Sequence, residues 1–318
     1  MTTWNRRLQR HHRRRNLIQS LTLLLGMVAL LSLVGWTIAG TEGILWAAMA
    51  GGLSLALAPR MSPRLLLRLY RGARLSDRDV PDLYRALAAI SRRAGLPAVP
   101  VLHYIPSAAM NAFAVGRPGD AAIAVTDGML RRLSFRELVA VLAHEVSHIR
   151  NNDLWVMGLA DVISRITRVM SMFGVLLLVF SLPLLIQSPG EVPLLLVLLL
   201  VLAPTLGSLL QLALSRTREF DADADAAWLS GDPTGLASAL AKIERVQGRF
   251  WEDLLPGGRR IPDPSLLRTH PDTAERIRRL QSMQPAEEAV RSSQAITLPG
   301  HLGTADARPR WHASGLWY

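Results

Sequence analysis

Two histidines four residues apart, with a glutamate directly after the first, stand in Val141-Leu142-Ala143-His144-Glu145-Val146-Ser147-His148. On a helix, positions i and i+4 share one face, so both imidazoles can point at the same spot. Zinc accepts imidazole nitrogen well, and a catalytic zinc takes three protein ligands and leaves one position for water. Glu145 is offset by one residue. It reaches beside such an ion rather than onto it, which suits a general base acting on metal-activated water. The same spacing also arises on plain solvated helices. Here Leu138, Val139, Val141, Leu142, Val146 and Ile149 make the segment too apolar for a surface helix, and histidines buried among them need partners. Ser134-Phe135-Arg136-Glu137 fits a capping box and predicts a helix over 134–150.

A third ligand must come from elsewhere, and it is not a thiolate, because the 318 residues include no cysteine. The segment Ser215-Arg216-Thr217-Arg218-Glu219-Phe220-Asp221-Ala222-Asp223-Ala224 follows a long apolar run. If the helix continues through it, Glu219 and Asp223 share a face. Glu219 is the expected third ligand. Asp223, one turn on, is placed to accept a hydrogen bond from a ligand histidine and so fix its tautomer. The plainer alternative is a solvated acidic turn at a helix end. His270, in Thr269-His270-Pro271-Asp272, could line the same site, although His-Pro more often opens a helix. His270, Arg216 and Arg218 are the candidate donors to a developing oxyanion.

The elements that must position these groups come with a membrane pattern. Half of the residues are hydrophobic, and 36 basic residues against 25 acidic leave a net charge of +11. The basic residues border apolar runs, which favours a membrane surface over nucleic acid, and no nucleic-acid motif is recognisable. Residues 1–16 form a basic arm with six arginines and no acid, expected to be unstructured. Residues 17–58 read as a first transmembrane hairpin, turning at Thr41-Glu42-Gly43. Arg60, Arg64, Arg68, Arg71, Arg74 and Arg78 follow it, so both ends are positive and belong on the cytoplasmic side.

Residues 60–168 are then the first part of a cytoplasmic domain. It has a helix over 82–94, strands over 99–105 and 121–126, a turn over 116–119, and the histidine helix. The strand just before that helix is expected to offer a free edge to an extended peptide. Residues 169–214 read as a second hairpin, turning at Ser188-Pro189-Gly190-Glu191. Residues 215–284 are the second part of the domain, with helices over 233–247 and up to Leu280. Residues 285–318, rich in Ser, Gln, Pro, Gly and Ala, read as a mobile tail. The fold class expected is mainly α with a small β-sheet, in an integral membrane protein with about four transmembrane helices.

The ordered motifs resemble the HtpX family of membrane-bound zinc metalloproteases and, more distantly, the CAAX prenyl endopeptidases. They are Asn111-Ala112-Phe113-Ala114 with Gly116, Thr126-Asp127-Gly128, His144-Glu145-x-x-His148 with Asp153, Ser215-Arg216-x-Arg218-Glu219-Phe220-x-Ala222-Asp223, and Thr269-His270-Pro271. The resemblance covers roughly residues 80 to 280. It implies a gluzincin-type domain joined to transmembrane helices, with one Zn2+ per chain held by His144, His148 and Glu219. It makes Glu145 catalytic, puts Asn111 in the substrate cleft, and has Asp223 support the metal shell. It further implies damaged or misfolded membrane proteins as substrates and a bacterial inner membrane as the location. The arginine-rich start and the tail past 285 have no counterpart in it. The competing reading is a membrane protein with a structural zinc, which would need a fourth protein ligand that the sequence does not offer.

Overall fold

The computed structural model describes residues 3–57, 67–68, 70–187, 194–254 and 273–283. In chain order, α1 (Thr3–Leu57) is followed by β1 (Ala73–Arg74), α2 (Pro81–Ala94), β2 (Val101–Ile105), β3 (Ala112–Arg117) and β4 (Asp120–Thr126). Then come α3 (Asp127–Arg132), α4 (Phe135–Arg150), α5 (Asp153–Gln187), α6 (Leu194–Ser230), α7 (Pro233–Leu254) and α8 (Thr273–Gln281). The chain divides into two compact units, Met1–Arg60 with Trp155–Arg218, and Met61–Leu154 with Glu219–Tyr318. Helices α5 and α6 each run from one unit into the other.

The first unit is built from the long apolar helices. Three helical stretches, Leu17–Leu53, Asp153–Phe180 and Leu196–Ser230, are long and apolar enough to cross a membrane. The first is interrupted where Ala39 and Gly40 leave helical geometry, Gly40 at φ 57. That conformation suits a residue without a Cβ. The break comes immediately before the expected turn at Thr41-Glu42-Gly43. Across it the backbones of Gly35 and Gly43 meet so closely that a Cβ on Gly43 would lie 1.9 Å from the Gly35 carbonyl oxygen. Met27 and Leu31 before the break and Ala47 after it pack with Ala160, Ile163 and Leu214. Outward, Leu25 is 67% exposed, Trp46 65% and Phe180 74%. Apolar surface on this scale fits lipid, not water. Helix α1 already starts at Thr3, so the basic arm is helical rather than unstructured. Arginine is a good helix former.

Helix α6 continues without interruption past Pro204 to Ser230. This meets the condition for placing Glu219 and Asp223 on one helical face. The turn expected at 188–191, His270 and the tail from 285 lie outside the described residues.

The second unit holds the sheet, in the order β1-β2-β4-β3. Strand β4 pairs in parallel with β2 and antiparallel with β3. The strand preceding the histidine helix region therefore has no free edge. The edge beside β4 belongs to β3, which lies in a segment that carries no clear strand alternation because small residues fill it. The strand also runs through Gly116 to Arg117, so the expected turn over 116–119 starts later. Gly116 has φ 95, and a Cβ there would sit 2.2 Å from the Asp120 carbonyl oxygen. Only glycine closes this hairpin without strain.

One face of the sheet, with Leu102, Tyr104, Ile123 and Val125, packs on Leu83, Leu87, Leu138 and Leu142 of α2 and α4. The other, with Ile105, Val115, Ala122 and Ala124, packs on Leu67 and Tyr70. A short helix, α3, unforeseen from the sequence, separates β4 from α4.

Helix α4 starts as expected. Ser134 and Glu137 exchange the two hydrogen bonds of a capping box. Glu137 is buried and also accepts from Ser238 Oγ (2.6 Å) and Lys242 Nζ (2.7 Å) of α7. The cap of the histidine helix is thus also its staple to α7. The helix ends at Arg150, and Asn152 takes a left-handed φ of 54 before α5 starts.

Candidate metal centre

Helix α4 is buried along almost its whole length, and His144 and Glu145 are each only 8% exposed. The i, i+4 spacing sets the two imidazoles side by side. Their centroids are 4.7 Å apart, the rings are at 89° to each other, and the two Nε2 atoms face each other at 3.1 Å. Glu219 of α6 arrives from the other side. Its Oε2 is 3.5 Å from His144 Nε2, and its Oε1 is 4.0 Å from His148 Nε2.

Each ring is backed by a carboxylate. His148 Nδ1 donates to Asp153 Oδ2 at 2.8 Å. His144 Nδ1 lies 3.1 Å from Asp223 Oδ1, at ion-pair distance but not aimed squarely along a hydrogen bond. A proton held at Nδ1 leaves the Nε2 lone pair facing the gap between the rings. Burial opposes a charge on His144, but the carboxylates of Asp223 and Glu219 outweigh it and push the imidazole up to about 10. Burial also pushes the Glu145 carboxyl up, against the opposing pull of the two histidines; the Ala114 backbone amide of β3 favours the charged form.

Arg276 of α8 completes the cluster. It is 7% exposed. Its Nε and Nη2 donate to Asp223 Oδ2 and Oδ1, each at 2.7 Å, while Nη1 lies 3.1 Å from Glu219 Oε2.

The structure brings His144, His148 and Glu219 together, with Asp223 against His144 and buried Glu145 beside it in sequence. Asn111 stands at the start of β3, exposed, with its backbone N–H donating to Thr126 Oγ1 at 2.9 Å and its carbonyl accepting from the Thr126 N–H at 3.0 Å. Arg216 lies one turn before Glu219 on α6, in the other unit. Two further contributors, Asp153 and Arg276, are not singled out by the sequence for a role of their own. Asp153 belonged to the matched motif, and Arg276 carries no local signal except its spacing, since Arg276 and Leu280 share the buried face of α8.

Residues 76–284, which hold all of these groups, match the sequence profile of peptidase family M48. The chain belongs to that family. It is 35% identical over 287 residues to a "Protease HtpX homolog" of Desulfatibacillum aliphaticivorans, covering 85% of this chain and 90% of the relative. A relative of the same name from Kineococcus radiotolerans is 36% identical over 295 residues, covering 86% and 98%. The crystal structure of S. mikatae Ste24p is similar at a TM-score of 0.52 and 22% identity. The match covers 85% of this chain and 66% of that one, and is a likeness of fold.

This M48 chain is thus an integral membrane metalloprotease, and the family implies a metal. The residues present fit one. His144, His148 and Glu219 each offer a ligand atom, all within 4.8 Å of one another. A tetrahedral ion with bonds of about 2.0–2.1 Å spaces its ligands by about 3.3 Å, between the shortest and longest separations here. The charge balance agrees. Among the described residues, the buried carboxylates Glu145, Asp153, Glu219 and Asp223 outnumber the cationic partners beside them, the Arg276 guanidinium and the His144 imidazole. Such a cluster calls for a further cation.

Proposed function

We propose that this chain is a zinc-dependent endopeptidase of the bacterial cytoplasmic membrane that cleaves misfolded or damaged membrane proteins. The carrying observation is the convergence of His144, His148 and Glu219, from two different helices, with buried Glu145 next to the first ligand. When bound, the ion supplies an activated water and polarises the scissile carbonyl.

Glu145 accepts a proton at its carboxylate and returns it to the leaving amine. Burial, which favours a neutral carboxyl, suits that exchange. Asp153 and Asp223 hold the imidazoles in the tautomer that presents Nε2. The edge strand β3 is the docking site for an extended peptide, with Ala114 facing the Glu145 carboxylate. Main-chain pairing at an edge is tolerant of sequence, as a quality-control protease needs. Asn111, just before β3, lines the cleft in this reading.

Residues 60–168 and 215–284 form the protease domain on the cytoplasmic side, where the flanking arginines place both termini. The membrane part makes four passes, two from the arms of α1 and one each from α5 and α6. The competing structural zinc requires a fourth protein ligand. The ligand group among the described residues has three members, which supports the catalytic reading.

The test is cleavage of an unfolded membrane-protein substrate by the purified, zinc-loaded protein. The Glu145→Gln variant is expected to keep one zinc per chain and lose activity by about 10²–10⁴-fold. Equal activity in both proteins rules out Glu145 as the base.

A further inference from the structure

Arg276 is the one guanidinium described inside the centre, and it does two things at once. Through Nε and Nη2 it grips both oxygens of Asp223, the carboxylate behind His144. Through Nη1 it reaches Oε2 of Glu219. A clamp that served folding alone would be satisfied by Asp223. The third contact lands on the carboxylate read above as a metal ligand, and on one of its two oxygens.

We propose that Arg276 is a positioning residue that holds Glu219 to ligation through a single oxygen. The inference rests on the metal-centre reading above. A carboxylate with both oxygens available can bind an ion in bidentate fashion and take up the position that water needs. The guanidinium charge, 3.1 Å from Oε2, competes with a metal ion for that oxygen. The ligand is then left with one oxygen for the ion, and the open position is kept.

The planar guanidinium fork suits this task, because its donors point at two carboxylates in fixed directions. The geometry also ties the centre to α8. Leu280 is fully buried in the core, and Arg279 stacks over the Phe220 ring at 3.8 Å, so the helix carrying Arg276 is anchored beside Glu219 on α6.

The test uses full-length protein in detergent, stripped of metal and loaded with Co2+, comparing wild type with Arg276→Lys and Arg276→Met. Wild type is expected to take one Co2+ with the intense visible absorption of a four-coordinate site. Both variants are expected to show the weaker bands of higher coordination. In chelator competition they bind the metal about 10–100-fold more weakly. The lysine variant keeps the charge and the thermal midpoint of the metal-free protein, because an ammonium can pair with Asp223 but does not reproduce the fork.

A folded Arg276→Lys with the wild-type spectrum and affinity overturns the proposal and leaves the metal centre standing. So does an Arg276→Lys that no longer folds, which makes Arg276 a structural clamp. Failure of the wild type to bind Co2+ at all sinks the metal-centre reading and the proposal together.

Discussion

His148 donates its Nδ1–H to Asp153 across 2.8 Å, although the two residues belong to different helices. The chain leaves α4 at Arg150, turns through Asn152 at φ 54, and starts α5 at Asp153, which brings the carboxylate back onto the ring. Asp153 is only 2% exposed, so the pair is shielded from competing water. Replacing Asp153 with asparagine removes the charge behind the imidazole and keeps the shape. Metal affinity in chelator competition is expected to fall about 10–100-fold, with the metal-free fold retained.

The turn itself can be tested separately. A β-branched residue resists the left-handed conformation, whereas glycine accepts it. Asn152→Val is expected to lose about 1–2 kcal/mol and to reduce metal occupancy, because Asp153 is displaced. Asn152→Gly is expected to leave both close to wild type. Thermal midpoints and bound metal per chain check the pair.

Glu137 couples stability to pH. Burial alone would raise its carboxyl, but Lys242, Ser238 and Ser134 together hold it below the ordinary carboxylate range. A group whose pKa is depressed by folding contributes stability above its unfolded value, and that contribution is lost as pH falls through the folded value. Glu137→Gln is therefore expected to cost about 1–2 kcal/mol near neutral pH, with Lys242 partly solvated. The gap to wild type should close as the pH drops below about 4. Thermal midpoints of the two proteins across pH 3 to 8 check the sign (the window set by the ordinary carboxylate value).

Gly128 packs against the backbone that leads into β3. A Cβ there would lie 2.2 Å from the Ala108 carbonyl oxygen, and its N–H donates to the Ser107 carbonyl at 2.9 Å. Gly128→Ala must push away the backbone that leads into β3, at an expected cost of about 1–3 kcal/mol. If β3 docks the substrate, KM rises while bound metal stays at the wild-type level. Steady-state kinetics with a peptide substrate and metal analysis separate the two effects.

Sequence by itself determined whatever rests on local periodicity. The capping box set the start of α4, the i, i+4 spacing put His144 and His148 on one face, and the same spacing put Glu219 and Asp223 on one face of α6. Apolar length marked the membrane helices for the same reason, since a helix satisfies its own backbone wherever it lies. Tertiary structure decided the rest. It alone brought Arg276 to Asp223, 53 residues away, and turned Asp153 onto His148. It also gave β3 rather than β4 the open edge, because register between strands is settled by packing on α2 and α4 and by a glycine hairpin, not by any pattern inside the strand itself.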